Sequence, residues 1–323
     1  MLFRSPADDF APAIIGTIGE DGDTLIITSN REKREKIYII PMIDKEEIDT
    51  LNLGKTYSMF SNNAIRNIGG VVQSDGFTKY RRFIFASSGV PDSKTARFFD
   101  LSGADVKGGS DLFEKIYRQG NTTLDSIRNV DELNSTAWDS HPTIALHEPS
   151  GIEMISFSSD RIDTNGGFSA PYENAIYTIK GVQRKGNSDL YIAFRKFGEK
   201  VWSSPINIAT LQGSLEVNTP FNEYSPFLYC LEGTPYLVFS SNRAGNYDLY
   251  YAVMDIDFFA TAENMNHPKL KVEDLVPLGN KDNDIGTEFD ELFPFVRNQK
   301  PTVQSKTVTQ EFFYSSDRFG KTN

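Results

Sequence analysis

Apolar residues in this chain come in short runs broken by Gly, Asn, Asp or Pro before a helix could complete three turns. Residues 24–31 (TLIITSNR), 236–243 (YLVFSSNR) and 311–318 (EFFYSSDR) are typical: β-branched and aromatic side chains suited to a pleated sheet, ending in a polar turn. They predict β-strands throughout and no helical framework.

The runs recur in a fixed context. Each is preceded by a leading segment that carries an acid three residues before a proline: SPADDFAP, WDSHP, NEYSP and DELFP. The acids are Asp9, Asp139, Glu223 and Glu291, and the arginines that close the following runs are Arg31, Arg161, Arg243 and Arg318. Proline and arginine lie 19 residues apart in the Pro12 and Pro142 copies, 17 in the Pro226 copy and 24 in the Pro294 copy. A degenerate copy has Asn67 at the acid position and Gly89 at the arginine position. A third strand follows, beginning Asp-Leu-Phe or Asp-Leu-Tyr at Asp111, Asp189 and Asp248; a weaker fourth is read at 50–53, 203–209 and 274–278. Four short strands per repeat predict an all-β chain forming one β-propeller domain over residues 1–323. Its four-stranded antiparallel blades fall near 6–54, 66–130, 138–210, 221–279 and 288–323. First strands near Ala13, Val71, Thr143, Phe227 and Phe295 should line a central axis, with Cys230 buried among them. The last blade stops after its second strand, so we expect it to be incomplete, the reading frame to continue past Asn323, and the chain to self-associate through the exposed edge.

The succession of acid, proline, strand and F-S-S-N-R-x-G-x-x-D-L-Y, best seen from Asn222 to Ala252, resembles the TolB-like, WD-repeat-like (PD40-type) β-propellers. That resemblance implies a non-catalytic binding or scaffolding module of the bacterial cell envelope, periplasmic or associated with the outer membrane. It also implies a protein or peptidoglycan-type glycan partner. The Asn67 copy, which lacks both charged marks, and the last copy, which lacks a third strand, depart from the pattern.

In an up-and-down blade the leading loop and the turn between the second and third strands emerge on one face. The marked acids and arginines therefore share that face and are candidate binding residues. A residue present in every repeat more often serves the repeat, so the expected role of each acid is to accept hydrogen bonds from Arg or backbone within the blade. What differs between copies points to function: the long segments 90–110 and 162–188 extend the same face. Phe98, Phe99, Phe168, Tyr172 and Tyr177 could stack on a sugar or clasp a peptide there, or simply anchor the loops.

Composition narrows the choice. A net charge of -11 without a basic cluster argues against nucleic acid. No apolar run is long enough to cross a membrane as a helix. The single cysteine cannot form an internal disulfide, and His141, His147 and His267 have neither metal-ligand spacing nor a nucleophile partner. No metal or cofactor is expected. The acidic stretch from Asp282 to Glu291 lacks the spacing of a calcium loop, and residues 318–322 lack the first glycine of a phosphate loop. The main alternative is a glycan-active propeller enzyme, a glycosidase or lyase, with Asp9, Asp139, Glu223 and Glu291 as the first suspects. Four equivalent acids fit a repeat device better than catalysis, which needs carboxyls in unlike environments.

Overall fold

Alternation of apolar and polar residues closes each repeat into an antiparallel sheet. The computed structural model describes residues 9–16, 23–29, 36–41, 57–58, 66–74, 80–91, 98–99, 109–118, 128–164, 167–169, 176–179, 182–185, 188–211, 217–256, 270–279, 288–299 and 309–316. The first blade is β1 (Asp9–Gly16), β2 (Asp23–Ser29), β3 (Lys36–Pro41) and β4 (Tyr57–Ser58), in that order. The second runs β5 (Arg66–Ser74), β6 (Tyr80–Pro91), β8 (Asp111–Arg118) and β9 (Arg128–Asn129), with β7 (Phe98–Phe99) folded back on the end of β6. The third has β10 (Asp139–His147), β11 (Ile152–Ser159), β16 (Asp189–Lys196) and β17 (Ile206–Asn207). The fourth is β18 (Glu223–Leu231), β19 (Thr234–Ser241), β20 (Asp248–Ile256) and β21 (Leu270–Pro277). The fifth, β22 (Glu291–Gln299) and β23 (Thr309–Ser316), is two-stranded among the described residues.

First strands touch in the cycle β1, β5, β10, β18, β22 and back to β1, so they surround one axis. This is a β-propeller. A 3-10 turn, Ile208–Thr210, is the helical element among the described residues, and no described helix could cross a membrane. Thr50–Leu53, expected as a fourth strand, lies outside the described residues; β4 follows it. The segment read as a long loop at 162–188 contains two small hairpins, β12 (Ile162–Thr164) with β13 (Gly167–Ser169) and β14 (Ile176–Ile179) with β15 (Val182–Lys185).

The apolar core lies between neighbouring blades. Met154, Leu190, Ile192, Phe194, Leu237 and Phe239 pack between the third and fourth, while Ile84, Leu112, Ile155, Phe157 and Trp202 pack between the second and third. Cys230, expected to be buried among the first strands, is half-buried against the first of these clusters, and burial pushes its thiol up to about 12. Backbone bonds tie the blades in a repeated way. The amides of Asp139, Glu223 and Glu291 donate to the carbonyls of Ser110, Ser188 and Tyr247 at 3.0, 2.8 and 2.7 Å. Those carbonyls immediately precede the third-strand aspartates Asp111, Asp189 and Asp248. Two of these aspartates are held in turn by asparagines, Asn129 on Asp111 at 3.0 Å and Asn207 on Asp189 at 2.9 Å.

Candidate functional site

Strand register places the repeat acids equivalently. Asp9, Asp139, Glu223 and Glu291 pair with Ser29, Ser159, Ser241 and Ser316, and Asn67 pairs with Ser87. Where side chains are described, the acids turn into the blade. One oxygen of Asp139 accepts from the Ser135 amide at 2.7 Å and the Ser135 hydroxyl at 2.9 Å. The other accepts from Ser159 at 2.6 Å and from Arg161. Arg161 also donates to the Leu133 carbonyl at 2.6 Å, and its guanidinium sits over the Phe157 and Tyr191 rings. Glu223 repeats the arrangement with Thr219, Ser241 and Arg243, and Arg243 lies over Phe239 and Tyr250. Burial, and then the charge of Asp189, push the Glu223 carboxyl up to about 8 against these donors. Glu291 is buried too. The acids of these copies thus staple the leading loop to the turn between second and third strands.

The positions just after the acids reach the axis. His141, Ser225 and Phe293 have positive φ of 53°, 51° and 56°, and the register of β10, β18 and β22 shifts beside them. This bulge re-aims the side chains at the mouth of the propeller. There the His141 ring lies 5.3 Å from Phe293, two blades away, and 5.6 Å from Tyr224, centroid to centroid. Tyr224 also meets Tyr247 at 5.8 Å. Burial holds His141 down at about 4, so the imidazole is neutral at pH 7, and its Nδ1 shares a 2.8 Å hydrogen bond with Ser140. Burial followed by the Asp160 charge raises Tyr224, which hydrogen-bonds Ser188. Burial followed by Tyr224 pushes Tyr247 up to about 12. Phe221 is exposed on the adjoining leading loop.

A carboxyl of the third blade lies on the same face. Asp160, half-buried, accepts the Trp138 amide at 2.5 Å, and burial raises its carboxyl. Sequence reasoning missed Asp160, Trp138, Tyr224, Tyr247 and Phe293 because the repeat marks drew attention to their neighbours. The signal available was the two aromatics within ELFP and EYSP beside the acids. Among the loop aromatics, the backbones of Phe98, Phe99, Phe168 and Tyr177 lie in short hairpin strands, while Tyr172, Arg31 and Arg318 lie outside the described residues. Among the described residues no cluster of ligating side chains could hold a metal ion.

No known family matches the chain, and no curated relative does. Solved structures do. An α-L-arabinofuranosidase from Lactobacillus brevis superposes with a TM-score of 0.50 at 11% identity, covering 96% of this chain and 84% of that one. A Hadza microbial sialidase gives a TM-score of 0.41 at 10% identity, covering 91% of this chain, which spans about half (53%) of the sialidase. The Penicillium chrysogenum α-L-arabinanase complexed with arabinobiose gives 0.42 at 10% identity, covering 82% and 76%. At such identity the likeness concerns the fold: an all-β propeller with antiparallel four-stranded blades.

Proposed function

We propose that this propeller binds a saccharide at the axial mouth on the face of the leading loops. One observation carries the reading: four half-buried aromatic rings, His141, Tyr224, Tyr247 and Phe293, converge there beside the Asp160 carboxyl, while Asp139 and Glu223 are spent inside their blades. Apolar ring faces with a few polar groups at the rim suit a sugar, which presents C–H patches on one side and hydroxyls at its edge. The solved neighbour named as an α-L-arabinofuranosidase makes a glycan the first ligand to try. Calorimetric titration with arabinose, xylose, N-acetylglucosamine and their linear oligomers tests it. Tyr224→Ala should weaken binding about tenfold or more, whereas Glu223→Gln should leave it within about threefold. No binding by the wild-type protein to any of these sugars would end the proposal.

Asp160 favours a second reading, glycoside hydrolysis, since a carboxyl raised by burial beside a tyrosine suits a general acid. Hydrolysis would release reducing ends from the same oligomers and stop in Asp160→Asn. Binding without turnover leaves the first reading standing alone.

A further inference from the structure

The leading loops follow one local rule that the third blade breaks. In the fourth blade Asn222 donates its amide to the Asn242 side chain at 2.9 Å, and its own side chain accepts the Ser188 amide at 3.3 Å. In the fifth, Asp290 accepts the equivalent Tyr247 amide at 2.9 Å. The third blade keeps the first half, with the Trp138 amide on Asp160 at 2.5 Å and the Asp160 amide returning to the Trp138 carbonyl at 3.3 Å. It cannot keep the second. An indole offers no acceptor to the preceding blade. The ring lies instead against Gly109, where a Cβ would come within 2.3 Å of Cε3 and 2.8 Å of Cζ3. The matching position two interfaces on, between the fourth and fifth blades, is Asn246, which donates to the Phe289 carbonyl at 2.7 Å. A half-buried tryptophan and an exposed glycine have thus replaced two residues that elsewhere stitch blades together.

A departure that gives up a side-chain hydrogen bond across the interface, leaving Ser110 and Trp138 to bridge through the backbone, and that leaves an indole partly in water on the face of the aromatic mouth marks function. Resting on the saccharide reading above, we infer that Trp138, cradled by Gly109, is a second sugar-stacking subsite beside the axial one. The ligand is therefore an oligosaccharide: one ring sits at the axial aromatics and a neighbouring unit packs its C–H face on the indole, with Asp160 at hand for a hydroxyl.

Trp138→Asn tests this while restoring the side chain the repeat itself uses, so the variant should fold. Titrations would run from monomer to pentamer of the arabino-, xylo- and N-acetylglucosamine series, beside thermal melts and acrylamide quenching of tryptophan fluorescence. Trp202, the other tryptophan, is buried, so quenchable emission reports Trp138. Wild type should bind the oligomers about tenfold or more tighter than the monomer, and they should shield Trp138 from acrylamide. Trp138→Asn should lose that gain with monomer affinity and melting temperature unchanged, and Gly109→Ala should lose it likewise. Affinity that does not grow with chain length, Trp138→Asn binding like wild type, or Trp138→Asn melting well below it would overturn the subsite and leave the axial reading intact. Wild type that binds nothing in the panel overturns both.

Discussion

At the residue scale, Asp139 and Glu223 show why a repeated acid serves its blade. Removing Asp139 would take away the counter-charge of the Arg161 guanidinium, which is only 3% exposed and also meets the Ser159 hydroxyl, the Leu133 carbonyl and two rings. Breaking a buried pair on one side typically costs about 3 to 5 kcal/mol. Asp139→Ala should lose stability on that scale in chemical denaturation, with saccharide affinity of the folded fraction retained. Glu223 makes a different prediction, because its carboxyl is pushed up to about 8 from an ordinary 4.5 by burial and by Asp189. Below pH 4.5 the group is protonated folded and unfolded alike. Between 4.5 and 8 the unfolded chain releases a proton that the folded chain keeps, so its contribution to stability falls as pH rises through this window and levels off above 8. Melting temperatures should therefore drop from pH 5 to pH 8, and Glu223→Gln should flatten that slope. A slope unchanged by the substitution would assign the titration elsewhere.

At the scale of the element, the first strands owe their shape to one bulge. Ser225 stands at positive φ before Pro226, and its buried hydroxyl has no hydrogen-bond partner among the described residues, although its amide donates to Ser158 of the neighbouring blade at 3.1 Å. Glycine removes both the left-handed penalty and the orphaned hydroxyl while keeping the amide. Ser225→Gly should thus be neutral or stabilise by up to about 1 kcal/mol, whereas Ser225→Val should cost about 1 to 3 kcal/mol; paired melts decide it. Such bulges explain what could and could not be read in advance. Four strands per repeat were legible because alternation and turn residues are local, and the equivalence of the acids followed from the repeat. The mouth was not legible: positive φ at His141, Ser225 and Phe293 has no glycine to announce it, and rings two blades apart in sequence meet at the axis through closure of the ring. Trp138 likewise reads as an ordinary loop aromatic until Gly109 is found beneath it.

For the whole molecule, stability should be unevenly spread around the ring. The third blade is covered on both sides: one cluster joins Met154, Ile192 and Phe194 to Leu237 and Phe239, and the other joins Ile155, Phe157 and Ala193 to Ile84 and Leu112. Every residue of β11 is buried, as is all of β16 except Lys196. In the fifth blade Phe312 and Tyr314 of β23 are half-buried, and β23 pairs with β22. Opening the third blade must therefore break two apolar interfaces together, while β23, half-buried, gives up its ladder with β22 and a smaller contact with β1. Hydrogen exchange should find the slowest amides in β11 and β16, near the global unfolding limit, and faster exchange in β23. Phe157→Ala removes a side chain wedged against Tyr191 and beneath Arg161 and should cost about 3 to 5 kcal/mol. Phe312→Ala, half-buried, should cost less than half as much. Equal losses, or protection as strong in β23 as in β11, would mean that the ring unfolds as a single uniform unit and that the third blade is not its anchor.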